Sequence, residues 1–549
     1  MTLRYRIHPA IGFARVGTSE ETFLGPERPG VPAGPADGQY RDAAGRLKRQ
    51  AVRYRVYEYD DAAPGVAPRE VTGGGGAARI DWTVHLVNAK AEWFEFRGLA
   101  GEGPAGYPAG HRRRNGGVAA ADRRGLVIDP LPRTLSATGA AASAPVSKGT
   151  SGTPAGESWP PPLTGGAAVT SLGTLAVDAA GRLSVAGGFG TSGTTGPLPP
   201  GGSLDYANND GWFDDVSDGP VTARLTLPDG SVRDADGPAW AIVAPPDYAP
   251  GVENLVTAHD LLYDLGLREF GLDPAVFDPA AGGFDPAFLP SFGRDVYPIL
   301  RRALEYRFVI RQAASHTAAA FSLAALAAAP APGEDPTNNA RAAVFGRLRD
   351  PDDLGGDPAQ DMPRLRGDGT GGQPAEALVF TLTRYQHFVM RQWASGRFVA
   401  DWAGSPPAPA AGVTPAGLDR AALDAACGGA FFPGIESGWT LRDPRAYAAP
   451  FAYRFRHGPE PGAMGPGSAT KRMALPWQAD FLECVGKWWP AQRPDQVSAG
   501  GVTKDWDRPL NSSTDHVRLV GVWSQLGVVV PDPAAAGRFV EGQRTLPEA

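Results

Sequence analysis

The order of its patterning constrains this chain more than any other feature. Strand-like alternation fills roughly the first 250 residues, and helical spacing takes over after Pro250. RYRIHPAIGFARVG, AVRYRVYEYD and IDWTVHLVNAKAEWFEF alternate or cluster β-branched and aromatic residues between Gly/Pro breaks. SLGTLAVDAAGRLSVAGG, GPVTARLTLPDGSV and AWAIVAPP extend the same pattern, and DAAGR and LPDGS read as hairpin turns. VENLVTAHDLLYDLGLREFG, DVYPILRRALEYRFVIRQAASHTAAAFSLAALAAA and ALVFTLTRYQHFVMRQWASG then carry apolar residues at helical spacing, and LDRAALDAAC is a short helix running into a Gly-Gly turn. Strands first and helices later exclude alternating βαβ units. The fold class is α+β, with a β-rich region over 1–250 and a mainly helical, loop-rich region over 251–549.

Glycine (72) and proline (54) approach a quarter of the 549 residues but fall mostly between patterned segments, as loops. With 42% hydrophobic and 20% charged residues the chain is globular and not disordered. A net charge of -7 with scattered Lys and Arg argues against nucleic-acid or membrane partners. Arg112-Arg113-Arg114 sits in a Gly-rich loop and reads as a solvated turn. The first residues lack a signal-type apolar run and no stretch approaches 18 apolar residues, so a cytoplasmic protein is expected, or else one exported by a route that leaves no mark in the sequence. Only Cys427 and Cys484 are present, too few for a disulfide scaffold.

Three patches place distinctive side chains in Gly/Pro-fixed contexts. In DAACGGAFFPGIESGW (424–439), Cys427 closes a helix, Asp424 three residues earlier shares its helical face, and Phe431-Phe432-Pro433-Gly434 form an apolar wall. Taken alone, a buried structural cysteine is the plainer reading of that patch. MALPWQADFLECVGKWWPAQRP (473–494) holds Trp477, Cys484, Trp488 and Trp489, some of which core packing accounts for. STDHVRLVGVWSQLGVV (513–529) opens its amphipathic segment with His516, one of eight histidines, and a structural hydrogen-bonder is the plainer reading. Asp210, Asp214, Asp215 and Asp218 crowd one loop, but not at calcium-loop spacing, and a hydrogen-bonded turn is preferred to a metal site.

Together these segments resemble the LodA-like family of cysteine tryptophylquinone oxidases. The resemblance also covers IHPAIGFARVG (7–17), DWTVHLVNAKAEWFEF (81–96), YANNDGWFDDVSDGPV (206–221), AWAIVAPPDYAP (239–250), DVYPILRR (295–302), CGGAFFPGIE (427–436) and PWQADF (476–481). It implies a cofactor built by joining a cysteine sulfur to a tryptophan indole that is oxidised to an ortho-quinone. Cys427 matches the cross-linked cysteine motif and Trp477 is the favoured indole. Trp488 and Trp489 are the alternatives, since spacing alone does not separate them, and Cys484 would be a bystander. Asp424 resembles the acid tied to cofactor formation and proton transfer, and His516 an active-site histidine. Relatives with a tyrosine before that histidine differ from this chain, which has Asp515.

The chemistry implied is oxidation of the primary amine of a free amino acid by O2, giving aldehyde or keto acid, NH3 and H2O2. Glycine is the first substrate expected and the ε-amine of lysine the second. No ordinary side chain takes two electrons from an amine, so a protein must borrow or build the electrophile, and a carboxylate or imidazole would serve as general base. The resemblance further implies a maturation flavoprotein partner and a homo-oligomer. A catalytically silent binding protein, with its cofactor never formed, is the competing reading.

Overall fold

The computed structural model describes residues 3–63, 65–98, 107, 109–164, 167–313, 322–354, 360–368, 379–409, 411–455, 463–485 and 487–548. The strand-patterned half forms β1 (Leu3–His8), β2 (Ile11–Arg15), β3 (Thr22–Leu24), β4 (Arg49–Asp60), β5 (Arg69–Val71), β6 (Arg79–Val84), β7 (Arg133–Ala137) and β8 (Ala142–Ser147). It continues with β9 (Ser171–Val177), β10 (Leu183–Ala186), β11 (Ser192–Thr194), β12 (Trp212–Asp214), β13 (Ser217–Thr226), β14 (Val232–Asp234) and β15 (Ala239–Ala244). All but β11 and β12, which pair with each other, join one barrel-like 13-stranded sheet with the spine β7-β6-β13-β15-β2-β4-β10-β9-β8. Neighbours are antiparallel except β15 with β2 and β3 with β4. The DAAGR and LPDGS turns close the β9–β10 and β13–β14 hairpins, with Gly181 N donating to Asp178 O and Leu227 N to Ser231 O.

Large aromatics fill the sheet, and three of its fully buried rings have partners for their polar tips. Trp82 donates to Gly181 O (2.9 Å), Trp240 to Asp218 Oδ2 (2.9 Å) and Tyr54 to Trp240 O (2.9 Å). Each of the three rings is fully buried.

After β15 come α1 (Ala258–Phe270), α2 (Tyr297–Glu305), α3 (Leu323–Ala327), α4 (Ala340–Phe345), α5 (Arg384–Ala394), α6 (Pro415–Asp424), α7 (Trp477–Glu483) and α8 (His516–Val522), joined by loops and short hairpins. Starts follow side-chain caps: Thr257 and Thr383 close capping boxes on α1 and α5, and Thr414 accepts from Gly417 N at α6. The long helix expected over 295–329 is broken instead into α2, two single turns and α3, while residues 314–321 lie outside the described residues. The first two residues of ALVFTLTRYQHFVMRQWASG also lie outside them, and its helix begins at Arg384, after the Thr383 cap. Among the described residues, no helix is long and apolar enough to cross a membrane.

The sheet grips the segment that carries PWQADF. Asp218 on β13 accepts from Ala469 N (3.0 Å), Thr470 N (2.8 Å) and Thr470 Oγ1 (2.6 Å). Leu475 N donates to Ala207 O (2.9 Å). The first turn of α7 lacks a side-chain cap of its own. Asp214, at the end of β12, accepts from Trp477 N (3.2 Å) and so satisfies one of the helix's orphan donors from another element.

Candidate active site

The two cysteines sit in different surroundings. Helix α6 ends at Asp424, and Ala425 closes it, so Cys427 lies beyond the helix in a β-bridge with Thr257. Asp424 and Cys427 therefore do not share a helical face, because the helix stops before the turn that would align them. Gly428 is what allows the bridge: a Cβ there would stand 1.8 Å from Thr257 O. The Cys427 thiol donates to Gly429 O (2.9 Å), its N–H donates to Glu436 (2.5 Å), and Glu436 in turn pairs with buried Arg15. Burial, reinforced by the Glu436 charge, pushes this thiol well above its usual range. The Asp424 carboxylate turns elsewhere, accepting from Thr257 Oγ1 (3.2 Å) and Arg420 Nε (3.1 Å) and facing Arg302 at 3.8 Å.

Cys484 closes α7, one helical turn after Asp480, and its thiol donates to Asp480 Oδ1 (2.9 Å) and to Phe432 O (3.6 Å). The second oxygen of Asp480 is buried with no hydrogen-bond partner among the described residues. Burial pushes the Asp480 carboxyl well above the carboxylate range, and burial followed by the Asp480 charge pushes the Cys484 thiol up. An acid held in that condition, on a sulfur, is suited to carrying a proton. The chain then turns sharply. Val485 adopts φ +33°, an uncommon conformation for a β-branched residue, and Lys487 N returns to Cys484 O (3.1 Å).

That turn delivers Trp488 to the far side of Phe432. The two rings stack at 4.5 Å, Tyr206 stacks on Phe432 at 5.3 Å, and Phe96 meets it edge-on at 5.6 Å. Trp488 donates Nε1–H to Gly367 O (2.7 Å), which fixes its ring, yet it remains only partly buried. Trp477 and Trp489 are each 1% exposed, and the indole N–H of each is buried without a partner among the described residues. Trp477 packs edge-on against Phe481 (5.1 Å) and Trp523 (5.4 Å).

His516 opens α8. Its Nδ1 accepts from Leu204 N (3.1 Å) and its Nε2 faces Glu483 Oε1 at the end of α7 (3.0 Å). Of the residues singled out in the sequence, the structure joins His516 to the PWQADF helix, carries Asp424 into an arginine network, and gives Cys427 and Trp477 separate neighbours. Asp480 was not singled out, although its four-residue spacing from Cys484 on a helix was available as a signal.

The four aspartates of the 210–218 loop also diverge. Asp210 meets Arg112 (2.9 Å), Asp214 meets Lys90 and Asn88, and Asp218 binds the 469–470 backbone. Asp215 is fully buried against Gly188, and burial, reinforced by Asp214, pushes its carboxyl up to about 7. A folded-state value above the ordinary 3.8 means that the native protein holds a proton the unfolded chain has lost. Stability contributed by this group is therefore present at low pH and lost as pH rises from about 4 to about 7. Asp215→Asn should gain about 2–4 kcal/mol on the wild type between pH 4 and pH 8. Urea melts at the two pH values measure this, and a pH-independent difference would refute it.

The family models of similar proteins match most of the chain. The model described as L-lysine epsilon oxidase N-terminal matches residues 8–243, and that of the L-lysine epsilon oxidase C-terminal domain matches 359–506. The chain is 29% identical to the L-lysine 6-oxidase of Marinomonas mediterranea, over 99% of its own length and 79% of that protein's. Among solved structures it resembles the L-Lys epsilon-oxidase of the same organism as the Schiff base intermediate with L-Lys. That match has 26% identity and a TM-score of 0.82, and covers 98% of this chain and 95% of the other. A second structure, of the epsilon-lysine oxidase from that organism, matches with a TM-score of 0.83 at the same identity and coverage.

Proposed function

The chain belongs to the LodA-like family, and on that premise we propose that it is a quinoprotein oxidase of the primary amine of a free amino acid. O2 is the acceptor, and aldehyde or keto acid, NH3 and H2O2 are the products. The observation that carries this reading is the near whole-chain likeness to an oxidase captured as a Schiff base with L-Lys. A Schiff base needs a carbonyl that no unmodified side chain offers. A cysteine tryptophylquinone would supply that carbonyl and the two-electron sink.

The residues present fit such a group. Two buried thiols and several neighbouring indoles are available, and one thiol stands on a carboxyl whose second oxygen has no partner among the described residues. We favour Cys484 and Trp488 as the pair that would form it, over the Cys427 and Trp477 expected from the sequence. Two observations support this: both residues meet Phe432, and Trp488 alone of the three candidate indoles is partly open to solvent, as an amine and O2 require. Four residues span at most about 14 Å of chain, and the turn at Val485 shortens that.

The remaining roles follow from position. Asp480 holds or passes a proton at Oδ1. Phe432, Tyr206 and Phe96 exclude water from the sulfur side. His516, oriented by Leu204 N and Glu483, keeps the end of α7 in register.

The test is the protein co-expressed with its maturation flavoprotein. Intact mass should gain two oxygens and lose four hydrogens, and L-lysine or glycine should yield H2O2 and NH3 in equal amounts. An unmodified mass with no peroxide from either amine would instead favour the silent binding protein.

A further inference from the structure

We infer that Asp368 is a positioning residue for the proposed cofactor ring: it pins the Ala430–Phe432 turn to the segment whose Gly367 carbonyl holds the Trp488 indole. This deepens the assignment of Trp488 made above and rests on it.

Residues 366–368 bond to both of the turns that meet at the site. On one side, Arg366 N donates to Lys487 O (2.8 Å) and Trp488 Nε1 to Gly367 O (2.7 Å). Asp368 makes the attachment on the other side. Its Oδ1 accepts from Phe431 N (2.6 Å), and its Oδ2 accepts from the Arg442 guanidinium, which also lies over the Phe431 ring at 5.2 Å. The carboxylate is buried, and both of its oxygens are engaged.

Two planar peptide units turn these contacts into one clamp. The Gly367 carbonyl that holds the indole lies in the plane ending at the Asp368 Cα, so fixing Asp368 fixes that acceptor. The Phe431 N–H shares its plane with the Ala430 carbonyl, which in turn accepts from Phe432 N (3.1 Å). Ala430 stands at φ +56°, a conformation that a non-glycine residue keeps only where its surroundings hold it. The ring of Phe432 then stacks on Trp488 at 4.5 Å, and its carbonyl accepts from the Cys484 thiol (3.6 Å). Asp368 thus sets both the covered face of the indole and the bond at its Nε1. That bond matters because the outer torsion of a tryptophan side chain has two broad wells. The Gly367 carbonyl selects one of them, and with it the edge of the ring offered for chemistry.

The full chain carrying isotope-labelled tryptophan, made without the maturation flavoprotein, reports on the clamp while Trp488 is still an intact indole. Trp488→Phe identifies its resonance. In Asp368→Ala the Trp488 indole N–H should exchange with solvent about 10-fold faster or more, while the bonded indoles of Trp82 and Trp240 keep their rates. Asp368→Asn keeps an oxygen on Phe431 N and should restore most of the protection. In the matured protein, Asp368→Ala should lower kcat about 10–100-fold and leave KM for L-lysine within about 3-fold. Unchanged exchange at Trp488, or faster exchange at all three indoles, would overturn the clamp. Faster exchange at Trp488 alone with an unchanged kcat would overturn the inference, since the clamped ring would not be the reacting one. A wild type that forms no quinone while the exchange result holds leaves the clamp standing and sinks the oxidase reading. If Asp368→Ala does not fold, Arg442→Gln, which releases the other carboxylate oxygen, takes its place with the same expected results.

Discussion

Cys484→Ala, co-expressed with the maturation flavoprotein that the proposed function calls for, should contain no cross-link and no quinone, and its amine oxidation should fall to background, a loss of at least about 10⁶-fold. Removing the sulfur removes one half of the electrophile, and the other groups cannot replace a two-electron acceptor. Cys427→Ala should keep the quinone. The reasons lie in the two environments. The Cys484 thiol sits on a buried carboxyl that titrates well above the carboxylate range, whereas the Cys427 thiol donates to a backbone carbonyl, with Glu436 held on its N–H and on Arg15. Asp480→Asn, which keeps the shape and removes the titratable carboxyl, should block maturation without unfolding the chain. Peptide mapping decides the matter: a linked peptide holding Cys484 and Trp488 supports the assignment. A quinone that persists in Cys484→Ala and vanishes in Cys427→Ala would return the site to Cys427 and Trp477.

Lys90→Met should destabilise the protein by about 3–5 kcal/mol. Lys90 and Asp214 are both fully buried and form an ion pair, with Asn88 donating to Asp214 Oδ1 (2.9 Å) and Trp477 N to Oδ2 (3.2 Å). Without the ammonium, Asp214 becomes an uncompensated charge in a site that water does not reach. Because Asp214 also satisfies the first turn of α7, the loss should reach Asp480 and Cys484 through that helix. Urea melts measure the stability, and Lys90→Met combined with Asp214→Asn should recover part of it, since neither member of the pair then leaves the other unpaired. A single variant as stable as the wild type would show that water or a neighbouring group takes the place of Lys90.

Period and punctuation were enough to read the fold class. Alternation from Leu3 to Ala244 and helical spacing after Pro250 have local causes, so the sheet, the helices and two hairpin turns follow from short windows of sequence. The ends of helices were harder. LDRAALDAAC looks continuous to the cysteine, yet α6 closes at Asp424 because the chain pairs Cys427 with Thr257, a partner 170 residues away. A tertiary bridge there outweighs local propensity.

The sequence by itself determined the α+β order and the segments from which the proposed site is drawn: CGGAFFPGIE, PWQADF and the Trp488-Trp489 pair. Tertiary structure alone decided which members of those segments meet. Phe432, from the first segment, is brought against both Cys484 and Trp488, while Asp424 is drawn away by Arg302 and Arg420. The physical reason is that burial, ion pairing and ring stacking act between atoms close in space. A spacing of 50 or 61 residues along the chain carries none of that information until the loops between them are closed.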